Sequence, residues 1–167
     1  MKKKVLFIIV CFLCLGFIVF NSSQPDVVSN LRSNRVTDYV INIFSDTYIG
    51  NMLLNKVTPF KLNIIIRKLA HAFEFWILAI ALSSMFSYFK LRIRDVVIYT
   101  LFIVLFIAVM DEFFQLFIVD RTSSVTDVLI DFCGGICAEI LFLIFSKLSN
   151  RYNGKHSSRH NRINADR

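Results

Sequence analysis

The sequence predicts an all-α membrane protein, a bundle of about four transmembrane helices with both termini in the cytoplasm. Three observations predict it: four apolar stretches near the length that crosses a ~30 Å hydrocarbon core, a composition too apolar for a soluble domain, and basic residues that alternate between connections. Of the 167 residues, 56% are hydrophobic and 18 are Phe, and the mean hydropathy is +0.61. A soluble single domain of this make-up would have too little polar surface. The formal net charge is +7. The Lys and Arg residues nevertheless sit between apolar runs rather than along one amphipathic face, which argues for membrane topology and against a nucleic-acid partner.

The first span covers residues 1–20. Val5 to Phe20 is an unbroken apolar run behind Lys2, Lys3 and Lys4, and as a helix it reaches ~24 Å, a shortfall that snorkelling lysines can close. Asn21-Ser22-Ser23-Gln24 follows without a small-x-small cleavage site, so the helix is expected to be retained. Bulky Leu13 before Cys14 argues against lipoprotein processing. Cys11 and Cys14 have CxxC spacing but lie in hydrocarbon, and Cys133 and Cys137 lie in the last apolar run; all four read as small hydrophobes.

Residues 21–63 form an extracytoplasmic connection holding Pro25, Gly50 and Pro59, with Val36, Val40, Ile43 and Phe44 at helical spacing. Either a short helix on the membrane surface or ordinary loop packing over the bundle fits that pattern. The second span runs from about Ile64 to Phe86, the third from about Val96 to Val119 and the fourth from about Val125 to Leu148, so residues 64–149 form a three-helix core. Lys90, Arg92 and Arg94 fill the second connection, Lys147, Arg151, Lys155 and further basic residues crowd the C-terminal end, and the third connection has only Arg121. The positive-inside rule therefore places the termini in the cytoplasm and the first and third connections outside. The basic tail, residues 150–167, is free of apolar periodicity and is expected to be disordered and drawn to anionic lipid.

Charged groups inside spans cost several kcal/mol unless paired or hydrated, and here there are many. Arg67, His71 and Glu74 fall at i, i+4 and i+7, within a stripe ~60° wide on the second helix. Asp111 and Gln115 are four apart on the third helix with Glu112 beside them, and Asp127 and Asp131 are four apart on the fourth. Gly134 and Ala138 continue the Asp131 face and permit close helix packing. Counted inward from the outer ends, His71, Asp111 and Asp131 lie ~10, ~12 and ~10 Å deep. Three helices thus bring ionisable groups to one level on the extracytoplasmic side, which reads as one site.

Each member also has a structural reading. The stripe on the second helix is either a ligand-binding surface or an internal salt bridge with a histidine cap; Lys68, on another face, reads as a snorkelling anchor. The carboxylates cannot all remain ionised in low dielectric without cations beside them. They are expected to share protons, bind a divalent cation, or pair with Arg67 and Arg121 as a lock. His71-x-x-Glu74 has metal-ligand spacing but lacks the partner motifs of known zinc or di-iron sites, so a divalent metal is a weak expectation. Arg121 either clamps an anion or neutralises Asp127. Glu139 points off the Asp131 face and reads as a helix-contact residue, and a Ser at 123 or 124 as an N-cap.

Arg67-Lys68-Leu69-Ala70-His71-Ala72-Phe73-Glu74-Phe75, then Asp111-Glu112-Phe113-Phe114-Gln115, then Arg121 with Asp127 and Asp131-Phe132-Cys133-Gly134 together resemble the VanZ family of bacterial membrane proteins. Ser22-Ser23-Gln24-Pro25 after the first span also fits, and the resemblance runs from the first span to the end of the fourth. Phe75 stands where the family usually has Tyr, and Val119-Asp120 where it often has Pro-Gly. The resemblance implies low-level resistance to the glycopeptide antibiotic teicoplanin. The expected site has His71 and Glu74 as acid/base groups, Asp111, Glu112 and Asp131 as catalytic or metal-binding carboxylates, and Arg67, Gln115, Arg121 and Asp127 as ligand-binding residues. The partners expected are membrane lipid and an anionic envelope lipid or glycan precursor. A non-enzymatic scaffold and a transporter are the competing expectations.

Overall fold

The computed structural model describes residues 2–45, 57–119, 121 and 123–165, and within those ranges the side chains from residue 4 to residue 149. Among the described residues every regular element is a helix: α1 (Lys2–Ser22), α2 (Asp26–Ser45), α3 (Pro59–Tyr88), α4 (Ile93–Gln115) and α5 (Val125–Ala165). Four are long and apolar enough to cross a membrane, over Lys4–Ser22, Pro59–Tyr88, Ile93–Gln115 and Val125–Ser149. Large apolar side chains such as Phe12, Phe102 and Phe145 point outward, as the lipid-facing surface of a bundle requires.

Several boundaries differ from the sequence expectation for local reasons. The connection after the first span is not a plain loop, because α2 occupies twenty residues of it. The Pro25 carbonyl accepts the first helical hydrogen bonds, from Val28 and Ser29, and Asp26 puts a negative charge at the positive end of the helix dipole. Its buried residues are Ser33 and Thr37, while Val36, Ile43 and Phe44 are exposed, so its apolar side turns away from the bundle. Residues 46–56 of this connection lie outside the described residues.

Helix α3 begins at Pro59, a turn earlier than the apolar run suggests, because Thr58 caps it and Pro59 fits the first turn. Helix α4 stops at Gln115, and Leu116, Phe117 and Ile118 donate to Phe113, Phe114 and Gln115 in tight i to i+3 turns. Helix α5 runs on to Ala165, through the segment whose composition suggests disorder. After Val125 there is no Pro to interrupt it, and each added residue of a formed helix gains a backbone bond.

Helix α3 is the centre of the bundle. It packs most extensively on α5 and also meets α1, α2 and α4. The core joins Ile18, Phe75, Leu78, Ala79, Leu82, Val104, Ala108 and Ala138. Glycine sets the spacing at two crossings: a Cβ at Gly134 would run into the Ala72 carbonyl of α3, and one at Gly135 would come within 2.6 Å of Val104 on α4. These contacts explain why the small residues follow the Asp131 face. At the opposite end, Lys90 takes a left-handed conformation at φ 61°. Its amide and that of Leu91 bond back to Ser87 and Phe86, closing α3 so that α4 can return beside it.

Candidate functional site

The sequence-selected polar residues meet at one end of the bundle, where α1 ends, α2 and α5 begin, α3 enters and α4 finishes. A cleft of about 100 Å³ is lined there by Asp26, Arg67, Lys68, His71, Glu112, Gln115, Arg121, Asp127, Ile130 and Asp131. That is room for several waters or one small polar group. A second chamber of about 170 Å³ opens between α2 and α3, lined by Asn21, Arg32, Val36, Ile66, Glu74 and others. Arg67 and His71 line both chambers and so form a shared wall. Asp111 is in neither lining and lies buried behind the cleft.

Most of the charged groups are taken up by partners on other helices. Arg67 pairs with Asp26, tying α3 to the first turn of α2, and Asn30 bridges them, donating to Asp26 at 2.8 Å and accepting from Arg67 at 3.3 Å. Lys68 pairs with Asp127, tying α3 to α5. The snorkelling reading of Lys68 is thus corrected: it is held at the cleft by a carboxylate in the first turn of α5. Arg121 does not neutralise Asp127. Its Nε donates to the Gln24 carbonyl at 3.1 Å and its Nη2 to the Asn21 carbonyl at 3.4 Å, closing the turn between α1 and α2. Burial, followed by the neighbouring Arg67 charge, lowers the Arg121 pKa from its usual value, but a guanidinium remains cationic at neutral pH.

Two further carboxylates support helix ends. Ser22 at the end of α1 donates to Asp111 at 2.8 Å, and Gln115 donates to the same oxygen at 2.9 Å. Glu112 accepts the Ser124 backbone N–H at 2.8 Å, satisfying a donor that the start of α5 leaves free. Ser124 in turn accepts from the Thr126 amide at 3.2 Å, the N-cap role read for a Ser at this position.

Three groups are left over. His71 Nδ1 and Glu74 Oε2 stand 3.6 Å apart, beyond hydrogen-bonding length, and both are buried without a hydrogen-bond partner. The other Glu74 oxygen accepts from Asn21 at 2.7 Å. Asp131 is 4% exposed, lines the cleft, and has no hydrogen bond or ion pair among the described residues. Buried polar atoms are rarely left unsatisfied, because each costs about 1–3 kcal/mol. His71 and Asp131 at the cleft, with Glu74 in the adjoining chamber, can exchange a proton with a bound group or accept hydrogen bonds from it. Among the described residues no three His, Cys, Asp or Glu side chains converge in a way that could hold a metal ion.

Sequence reasoning missed Asn21, Ser22, Asp26 and Asn30, all contributed by the chain just after the first span. Ser22-Ser23-Gln24-Pro25 was the available signal for two of the contacts, since Ser22 and the Gln24 carbonyl both serve the cluster.

The fold and the cleft define a class: a multi-pass helical membrane protein with a polar, partly unsatisfied site at one end of its bundle. The chain belongs to the VanZ/LLP1 family, whose model matches residues 7–146 and so reaches into all four spans and includes every residue that lines the cleft. No curated protein and no solved structure matches it.

Proposed function

We propose that this protein lowers susceptibility to teicoplanin-type glycopeptides by acting on the cell-envelope surface, through a cleft that faces outward and takes an anionic envelope lipid or glycan precursor. Outward orientation rests on the basic residues Lys90, Arg92, Arg94 and Lys147 at the opposite end. The observation that carries the reading is that His71 Nδ1 and Glu74 Oε2 are buried without a hydrogen bond and that Asp131 lines the cleft with none, beside otherwise paired charges. In this reading His71 and Glu74 move a proton to or from the bound group, and Asp131 accepts its hydrogen bonds. Arg67 and Arg121 face its negative charge. Asp111, Glu112, Gln115 and Asp127 keep the surrounding helix ends in place.

The test is teicoplanin susceptibility of a sensitive host expressing wild type or His71→Ala, with membrane abundance measured in parallel. Loss of protection at equal abundance is the expected result. Full protection by His71→Ala would overturn the reading.

A second reading, a non-enzymatic scaffold, is favoured by the interhelix pairs Asp26–Arg67 and Lys68–Asp127. It assigns the whole cluster to holding the helices and predicts that every substitution acts through abundance.

A further inference from the structure

Away from the cleft, an apolar slot of about 340 Å³ lies between α1, α3 and α4. Its walls include Ile8 and Leu15 of α1, Leu78 and Leu82 of α3, Phe89 just after α3, and Ile103 of α4. Helix α1 rests mainly on α3 and meets α4 at few points: at the cleft end Ile18 is buried and Asn21 and Ser22 bond to Glu74 and Asp111, and toward its start Phe7 packs on Tyr88.

Three features say what fills it. From Leu78 to Phe89 the slot runs ~16 Å along α3, about the depth of one leaflet of a ~30 Å hydrocarbon core. The slot is almost wholly apolar and open along one side, with Leu78, Leu82 and Ile103 along its walls, so a hydrocarbon chain can lie in it without leaving a polar group unsatisfied. At the basic end of the bundle it reaches Phe89, where the Lys4 ammonium lies 5.3 Å from the ring centroid and Lys90 follows directly in the chain. A positive charge at the membrane interface above an apolar slot complements a lipid with a negative headgroup.

We propose that this slot is a lipid-binding site. It takes one acyl chain of an anionic phospholipid from the leaflet at the basic end of the bundle, with the headgroup phosphate beside Lys4. The lipid completes the packing between α1 and α4 and so steadies the helix whose far end supplies Asn21 and Ser22 to the cleft. The site is separate from the cleft and does not depend on what the cleft binds.

The experiment is native mass spectrometry of the full chain, purified in detergent and supplied with phosphatidylglycerol or phosphatidylcholine of equal chain length. Wild type is expected to retain one phosphatidylglycerol at least tenfold more than phosphatidylcholine. Ile103→Trp, which fills the slot, is expected to lose that retention, and the milder Ile103→Phe serves if the Trp variant does not fold. Lys4→Ser, at an exposed position, should keep a bound lipid but lose the headgroup preference. Equal retention of the two lipids by wild type would overturn the proposal. So would retention unchanged in a folded slot-filling variant, or a dimer that the slot-filling variant disrupts.

Discussion

At the cleft, five helices contribute polar groups that pair across helix boundaries. About 12 Å deeper along α5, Ser83, Thr100 and Glu139 from three helices form a second buried cluster with one acid and two hydroxyls. Both contain an unpartnered carboxylate oxygen, Glu74 Oε2 in one and Glu139 Oε2 in the other, yet their surroundings differ. Glu139 accepts a hydrogen bond from Ser83, which lies 3.0 Å from Thr100, so the acid is met by neutral hydroxyls within the packed centre of the bundle. At the cleft end the residues that carry the unpartnered atoms, His71 and Glu74, line chambers beside the ion pairs Asp26–Arg67 and Lys68–Asp127. In the proposed reading, burial of an acid is therefore not by itself the mark of a working site; room beside the acid, together with neighbours already neutralised by others, is the better mark.

The difference can be broken first at Gly134, which lies between Asp131 and Glu139 on α5. Gly134→Ala sets a methyl group against the Ala72 carbonyl and should destabilise the bundle by about 1–3 kcal/mol, separating α3 from α5 at both clusters. Thermal unfolding in detergent, with membrane abundance, checks it. A smaller loss is expected at the cleft's rim. Lys68→Ala leaves Asp127 without its partner, and because both side chains are about 30% exposed, solvent screening should limit the cost to about 1–2 kcal/mol. Exchanging the pair, Lys68→Asp with Asp127→Lys, should recover most of that loss in the same assay. The smallest effect should come from Glu139→Gln, whose amide oxygen still accepts from Ser83; stability should change by less than about 1 kcal/mol and protection against teicoplanin should be unchanged. A Glu139→Gln variant that lost protection would move the working residue to the wrong cluster.

Much of the fold was legible because membrane burial writes itself into composition. Four apolar runs gave four spans, and the depth of His71, Asp111 and Asp131 placed their helices' polar faces at one level before any packing was known. Partner choice was not legible, because it depends on how each helix is rotated and where the helices cross. Lys68 lies on a different face from the His71 stripe and could be assigned only once α5 was seen to start beside it. Asp26 reads as a loop residue until α2 exists, and α2 is weakly marked because its inward residues, Ser33 and Thr37, are polar while its apolar ones face out. Glu139 reads as a helix-contact residue from its spacing, and it accepts from Ser83 of α3, but Ser83 and Thr100 carry no signal of their own within apolar runs.

In the proposed reading the cleft divides into residues that hold helices and residues left free to act. The most direct test measures two quantities for two variants in one susceptible host: membrane abundance, and teicoplanin protection per molecule. Asp131→Asn should retain wild-type abundance and lose protection, while Lys68→Ala should lose abundance and retain protection per molecule. Protection that survives in Asp131→Asn, or protection and abundance that fall together in both variants, would contradict it.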